Sequence, residues 1–168
     1  MRDSPWLTDE QQHAWRLFLR VSDQLNDRIE RDLQQEAGMP HAYYLILAML
    51  SEARDRSLRM RELAEVVRSS QSRVSHAVAR LEEAGWVRRS PAPGDGRGQI
   101  ATLTDAGLHR LEQTAPGHAE TVRSTMFDPL SPEQQRQFTD ICSTILAAMA
   151  RRSAAPGTAE APAPPHSG

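Results

Sequence analysis

The sequence predicts a mainly α-helical protein with a small antiparallel β wing. Apolar residues recur at three- and four-residue spacing over most of the chain, and strand-like runs are short and confined to its middle. Of the 168 residues, 39% are hydrophobic, 25% are charged and 5% are aromatic, which is typical of a globular protein. Residues 153–168 consist mainly of Ala, Pro, Gly and Ser, which predicts a disordered tail. The length therefore suits one domain followed by a tail.

Composition and motifs exclude several classes of protein. No apolar run approaches the ~20 residues of a membrane helix, and the N-terminus lacks the features of a signal peptide, so we expect a cytosolic protein. A single cysteine, Cys142, excludes a disulfide framework and a multi-cysteine metal site. The sequence contains no P-loop, GxGxxG, GxSxG or HExxH motif, and we therefore expect neither an enzyme nor a cofactor.

Long amphipathic helices are predicted at both ends of the chain, within residues 8–36 and 104–152. Two of them open with a capping box, a hydroxyl residue followed three positions later by Gln, at Thr8 and at Ser131. Pro116 and the glycine after it fall inside the second apolar stripe. They predict a kink or a break in that helix.

Residues 40–103 predict a helix-turn-helix followed by a hairpin. A short helix over about 61–67 is separated by a polar turn from a second helix over about 70–84, whose apolar residues share one face. Two extended runs within about 86–103 flank a turn rich in Pro and Gly. This order predicts a DNA-binding lobe in which the second helix is the recognition helix and the hairpin is a wing.

The positive charge of the chain is concentrated in this lobe. The net charge is −2 overall, but residues 54–97 carry +4, whereas residues 1–53 carry −4 and residues 98–168 carry −2. The chain has no Lys, so every cationic side chain except His is a guanidinium, which binds phosphates and guanine edges at two points. Taken alone, the charge is better explained by a basic surface balanced by acidic neighbours, so the arrangement of the residues has to decide.

The exposed face predicted for the recognition helix carries groups that read duplex DNA. Arg73 suits a guanine edge in the major groove, and Gln71 suits an adenine edge. Arg80 could contact a phosphate or pair with Glu83 on its own helix. The other candidates, which would contact phosphates or bases through water, are Ser70, Ser72, Ser75 and His76.

Short motifs in the middle of the chain point to one family. In order, they are Arg61-Glu62-Leu63-Ala64, Leu81-Glu82-Glu83-Ala84-Gly85, Asp95-Gly96-Arg97, and Leu103-Thr104 with Gly107. In these motifs, which lie within residues 58–107, and in the order of its helices over about 8–152, the chain resembles the MarR family of winged-helix transcription regulators.

The resemblance implies a homodimer that binds double-stranded DNA at a palindromic operator, with half-sites ~10 bp apart. The helices at the two ends would form the dimer; packing within one subunit is the alternative. The wing would enter the minor groove with Arg97 at its tip. Asp95 would hold the tip in place or only form the turn. Arg88 and Arg89, on the outgoing strand, complete the set of DNA-binding candidates.

The resemblance also implies a repressor that a small molecule, often an aromatic acid or a phenol, releases from DNA. The candidates for binding it, each of which could instead be an ordinary packing or surface residue, are Trp15, Arg16, His41, Tyr43, Tyr44 and His118. A metal- or redox-responsive regulator is an alternative, although no HxxxH or CxxC spacing occurs and Cys142 lies on an apolar stripe. A protein-interaction module without DNA binding is the remaining alternative.

Overall fold

The computed structural model describes residues 6–94 and 98–154, which contain six α-helices and three β-strands. They are α1 (Asp9–Ala37), α2 (His41–Glu52), β1 (Ser57–Arg59), α3 (Met60–Val66), α4 (Gln71–Glu83), β2 (Val87–Pro91), β3 (Gln99–Leu103), α5 (Asp105–Val122) and α6 (Pro132–Ala154). The chain divides into two compact units, Met1–Met126 and Phe127–Gly168. In the described residues no helix is both long and apolar enough to cross a membrane. The predicted fold class is confirmed.

The ends of the long helices follow from capping chemistry that is local in the sequence. The Oγ1 atom of Thr8 accepts the backbone N–H of Gln11 at 3.2 Å, and the side chain of Gln11 accepts the N–H of Thr8 at 3.0 Å. Ser131 and Gln134 make the same reciprocal pair ahead of α6. These bonds satisfy backbone donors that the first turn of a helix leaves unpaired. Gly38, with φ of 56°, ends α1 in the left-handed conformation that glycine adopts without steric cost.

The core of the first unit is assembled around α2. Leu47 and Leu50 of α2 are fully buried, and the stripe of Val74, Val78 and Leu81 on α4 is buried in the same cluster. The other elements contribute, in chain order, Ile29, Leu33, Leu63, Val87, Ala101, Leu103 and Leu111. Because its apolar stripe is fixed in this core, α4 presents its opposite face to solvent.

The wing is a three-stranded antiparallel sheet in the order β1-β3-β2. The sequence predicted the hairpin of β2 and β3 and a short extended segment over residues 58–60, but not the pairing of that segment with the hairpin. Leu58 of β1 lies opposite Ala101 of β3, and the hydroxyl groups of Ser57 and Thr102 are 2.8 Å apart. A strand of three residues is too short to show a periodic pattern, so its pairing could not be predicted. Through β1, the base of the wing is joined to the start of α3.

α5 continues without a break through Pro116 to Val122, so of the predicted kink or break the break is wrong, and the kink stays a prediction. A proline inside a helix costs ~3 kcal/mol because it removes an N–H donor and crowds the preceding turn. Contacts with α1 hold the helix beyond the proline. The buried hydroxyl of Thr121 donates to Oδ2 of Asp32 on α1 at 2.9 Å, and Arg28 donates to the same oxygen at 2.7 Å.

α6 is the main described element of the second unit. It ends at Ala154, two residues beyond the predicted boundary at 152, so the backbone of residues 153 and 154 is helical rather than part of a tail. Ala and Ser are compatible with a helix, and composition alone did not show where the helix stops. The rest of the predicted tail, 155–168, lies outside the described residues.

The start of α5 packs so closely on the wing that only glycine fits at position 107. A Cβ on Gly107 would collide with the carbonyl oxygen of Trp86, which also accepts the N–H of Thr104 at 3.0 Å. Since that oxygen belongs to the backbone, it cannot move aside cheaply. We expect Gly107→Ala to lower the free energy of unfolding by ~1–3 kcal/mol, measured by urea denaturation.

Gly117→Ala is the matched control on the same helix. A Cβ there would meet only the carboxylate of Glu36, the far end of an exposed side chain that can turn away. Because alanine favours a helix over glycine, this variant should be unchanged or more stable by up to about 1 kcal/mol. Equal losses of stability in the two variants would contradict the close backbone approach at Gly107.

Candidate nucleic-acid interface

The exposed side of α4 carries the residues predicted to read DNA. Ser70 caps the helix, and its hydroxyl accepts the backbone N–H of Arg73 at 3.4 Å. The candidates that the structure exposes to solvent on this helix and its cap are Ser70, Gln71, Ser72, Arg73, Ser75, His76 and Arg80. The exposed face of α4 therefore presents guanidinium, amide, hydroxyl and imidazole groups, while the opposite face of the helix is buried in the core.

Some arginines of this lobe are paired with a carboxylate, and others among the described residues are not. The paired ones are Arg54 with Asp55, Arg56 with Asp105, Arg61 with Glu65, Arg80 with Glu83, and Arg89 with Glu82. In the described part of the chain, Arg68, Arg73 and Arg88 are exposed and have no carboxylate within 4.0 Å. An unpaired guanidinium keeps its five donors available for phosphates and base edges.

Arg80 forms the intrahelical pair that the sequence left as one of two alternatives. Its Nη1 donates to Oε2 of Glu83 at 2.9 Å, and this hydrogen bond raises the pKa of the guanidinium. Both side chains are exposed, and exposed pairs of this kind are weak. The pair holds Arg80 loosely near the surface of the helix.

Arg89 points back toward α4 instead of joining Arg73 on the exposed face. Its Nε donates to Oε2 of Glu82 at 2.8 Å, and its backbone N–H donates to Oε1 at 2.9 Å. These bonds lower the pKa of the Glu82 carboxyl. Since side chains alternate along a strand, the neighbouring Arg88 faces outward and is exposed. The result is a brace between the recognition helix and the wing.

The tip of the wing falls outside the described residues, and with it the candidates Asp95 and Arg97. The described part of the hairpin closes just before them, where the N–H of Ala92 donates to the carbonyl of Gly98 at 2.8 Å. The roles assigned to Asp95 and Arg97 stay predictions from the sequence.

Comparison with known proteins decides the family. Residues 37–98 match the family model described as the MarR family. The fold is similar to that of Sco3205, a MarR family transcriptional regulator from Streptomyces coelicolor whose crystal structure was determined in complex with DNA. The two are 47% identical over 88% of this chain and 92% of that one, with a TM-score of 0.81. The chain belongs to the MarR family of transcriptional regulators.

Two further relatives of this MarR family protein agree. AbsC, a MarR family transcriptional regulator from Streptomyces coelicolor, is 38% identical over 87% of this chain and 98% of its own, with a TM-score of 0.79. The transcriptional regulator PecS of Dickeya dadantii is 31% identical over 74 residues, which span only 44% of either protein. The predicted winged helix-turn-helix and the predicted function of a DNA-binding transcriptional regulator are confirmed. The relatives are regulators by name and not enzymes.

Three of the six candidates for effector binding in this MarR family chain lie together. The ring of Tyr44 is 4.3 Å from that of His118, and the rings of His41 and His118 are 5.7 Å apart. Desolvation lowers the pKa of His41 below its ordinary value of 6.5, although Glu30 opposes the shift. Desolvation also lowers the pKa of His118, and His41 lowers it further. Both shifts favour the uncharged form of these imidazoles.

The remaining effector candidates are not brought to this cluster. Trp15 stacks on Phe18 at 5.8 Å, and Arg16 is exposed beside it. The part of α1 that reaches the cluster is at Glu30, which accepts the backbone N–H of His41 at 2.9 Å. Fifteen residues of helix separate Trp15 from Glu30, a distance of ~22 Å along the axis. The remaining candidate, Tyr43, is half-buried and packs against the core.

Arg110 of α5 was missed by the sequence analysis. Its Nη2 donates to the carbonyl oxygen of Ala37 at the end of α1, and its guanidinium lies 5.5 Å from the ring centre of Trp86, just ahead of β2. Its Nε is buried and has no hydrogen-bond partner. The residues that line an adjacent cavity of about 240 Å³ are Leu33, Glu36, Ala37, Arg110, Gln113, Thr114 and Gly117. The sequence feature that could have drawn attention to Arg110 is that it is the single arginine within α5.

Within residues 6–94 and 98–154, the side chains form no site suited to sensing a metal ion or a change in redox state. These ranges hold no group of three or more His, Cys, Asp or Glu residues that could bind a metal ion. Cys142 on α6 is a half-exposed free thiol. A lone thiol without a described cationic neighbour does not indicate a reactive cysteine.

Proposed function

We propose that this protein is a homodimeric, ligand-responsive repressor that binds a palindromic operator, with α4 in the major groove and the wing in the minor groove. The observation that carries the proposal is the exposed face of α4, with Arg73 unpaired and the buried stripe of the same helix fixed in the core. A helix fits the ~12 Å width of the major groove. The relative Sco3205 was crystallised in complex with DNA, which supports DNA binding by this chain.

Each described DNA candidate has a role that follows from its surroundings. Arg73 and Gln71 read base edges, because they lie in the first turn of α4. Arg88 contacts a phosphate from the outer face of β2. Arg89, through Glu82, sets the angle between wing and helix and does not itself contact DNA. The side chains assigned to phosphates or to water-mediated contacts are Ser70, Ser72, Ser75, His76 and Arg80.

The proposal predicts different losses for the two kinds of contact. Arg73→Ala should cost ~1–3 kcal/mol of binding free energy on an operator located by footprinting, and should relax specificity at one base pair per half-site. Arg88→Ala should weaken operator and unrelated duplex alike, and should reduce the slope of log K against log salt by ~0.9 per protomer. Fluorescence anisotropy with labelled duplexes measures both.

Arg136→Ala is the control for these variants, since Arg136 is an exposed arginine of α6 paired with Glu133. Its affinity for DNA should equal that of the unaltered protein. Arg97→Ala, chosen from the sequence, should lose affinity like Arg73→Ala. If neither Arg73→Ala nor Arg97→Ala weakens operator binding, the chain does not read DNA through this surface.

Exposed apolar side chains on the long helices support a homodimer. On α6, Ile141, Ile145 and Leu146 are 49–58% exposed, and they share one side of the helix. On the N-terminal half of α1, Phe18 and Val21 are each 59% exposed. Burying a large apolar side chain is worth ~1.5–3 kcal/mol, so a second copy covering these stripes would gain a substantial free energy of association.

An aspartate at Ile145 should break the dimer, because association would bury an uncompensated charge. We expect Ile145→Asp to sediment as a monomer at micromolar concentration, with its helical circular dichroism retained. Ala147→Asp is the matched control: residue 147 is exposed and lies ~200° around α6 from Ile145. That variant should remain a dimer. A dimeric Ile145→Asp variant, or a monomeric unaltered protein, would refute this interface.

Arg110 and its cavity support release by a small aromatic acid. Burial disfavours the charged form of His41 and His118 by lowering the pKa of each, whereas Arg110 keeps its charge, and its buried Nε has no hydrogen-bond partner. Arg110 lines a cavity of about 240 Å³, and a ligand carboxylate there could accept hydrogen bonds from its guanidinium. Because Arg110 also contacts Ala37 and Trp86, the ligand would favour one arrangement of α1 relative to the wing.

Benzoate is a suitable probe of this response. It should release the unaltered protein and the Arg16→Gln variant from operator DNA in an anisotropy titration, but not the Arg110→Gln variant. Benzoate should release the Arg110→Lys variant only partially, because lysine keeps the charge but not the guanidinium. This variant also shows whether position 110 tolerates substitution. A response that is intact in Arg110→Gln and lost in Arg16→Gln would assign the acid to the first helix instead.

A further inference from the structure

The turn between α3 and α4 is closed by a residue in an unfavourable backbone conformation. Arg68 has φ of 54°, in the left-handed region that L-residues other than Gly, Asn and Asp rarely adopt. Its N–H donates to the carbonyl of Glu65, and the N–H of Ser69 donates to that of Ala64 at 3.0 Å. These two bonds form a Schellman motif, in which the left-handed position is usually glycine.

The same motif occurs at the end of α4, and there it does contain glycine. At the end of α4, Gly85 has φ of 76°, its N–H donates to the carbonyl of Glu82, and the N–H of Trp86 donates to that of Leu81. The two turns have the same hydrogen-bond pattern and the same handedness. The left-handed conformation is therefore strained at Arg68 but not at Gly85. No described contact of the Arg68 side chain compensates for this strain.

Arg68 lies close enough to the first turn of α4 for its charged side chain to reach DNA. It lies two residues before the cap of α4 and three before Gln71, so its Cα is at most ~10 Å from that of Gln71. When the first turn of α4 enters a groove ~12 Å wide, a residue that precedes the helix lies at the rim of the groove, where the phosphates are. Its guanidinium is exposed and has no carboxylate within 4.0 Å among the described residues.

We infer that Arg68 is a further DNA-binding residue that contacts a backbone phosphate beside the major groove. The inference rests on the proposed function and adds to it a contact that carries no base specificity. The strain at this turn is the cost of placing a cation where glycine would fit the backbone better. Arg68 therefore contributes to the affinity for any duplex and positions α4 for reading.

Replacement by glycine separates the two roles of this position. Arg68→Gly removes the charge and the strain together, so its Tm should be unchanged or higher by up to about 4 °C. Its affinity for operator and for unrelated duplex should fall by at least about tenfold at moderate salt, with the salt slope reduced by ~0.9 per protomer. Arg68→Lys keeps the charge and the strain, and should retain most of the slope.

The outcomes are distinguishable from a failure of the proposed function. A Tm that does not fall, together with weaker binding and a shallower slope in Arg68→Gly, supports the inference. If Arg73→Ala weakens operator binding while Arg68→Gly binds with unchanged affinity and slope, Arg68 is only a turn residue and the inference is wrong. If Arg68→Gly loses affinity for the operator alone, the residue reads a base and not a phosphate. If the unaltered protein binds no duplex, the proposed function itself fails.

Discussion

The burial of one stripe of α4 against α2 is the interaction on which the DNA-binding lobe depends. Val74, Val78 and Leu81 are almost completely removed from solvent, together with Leu47 and Leu50 of α2. This contact fixes the rotation of α4 about its axis and so decides which residues face outward. Rotation of the helix by one residue would bury Arg73 or Ser75 and expose the core. The chemistry of the surface is therefore set by packing on its reverse side.

Features that arise within a few residues of sequence could be predicted. The exposed face of α4 follows from a repeat of 3.6 residues, and the starts of α1 and α6 follow from capping boxes at Thr8 and Ser131. Each depends on contacts that span one or two turns of a helix. The resemblance to the MarR family extended these local patterns to the order of the whole lobe.

Features that depend on distant partners could not be predicted. Arg89 was selected as a basic residue of the wing, but its partner Glu82 becomes a neighbour only when β2 folds back on α4. Arg110 gained significance only through Ala37 and Trp86, which are remote from it in sequence. The continuity of α5 through Pro116 likewise depends on α1. In each case the sequence shows the residue type but not the contact that determines its role.

The brace between Glu82 and Arg89 has a mechanical consequence. It joins the recognition helix and the wing through three atoms of one arginine and so restrains these two elements, together the reading head, against moving relative to each other. A ligand bound beside Arg110 on α5 could not easily bend that head. It would instead alter the separation of the two heads in a dimer, and a mismatch of a few ångströms with the helical repeat of DNA would suffice to end recognition.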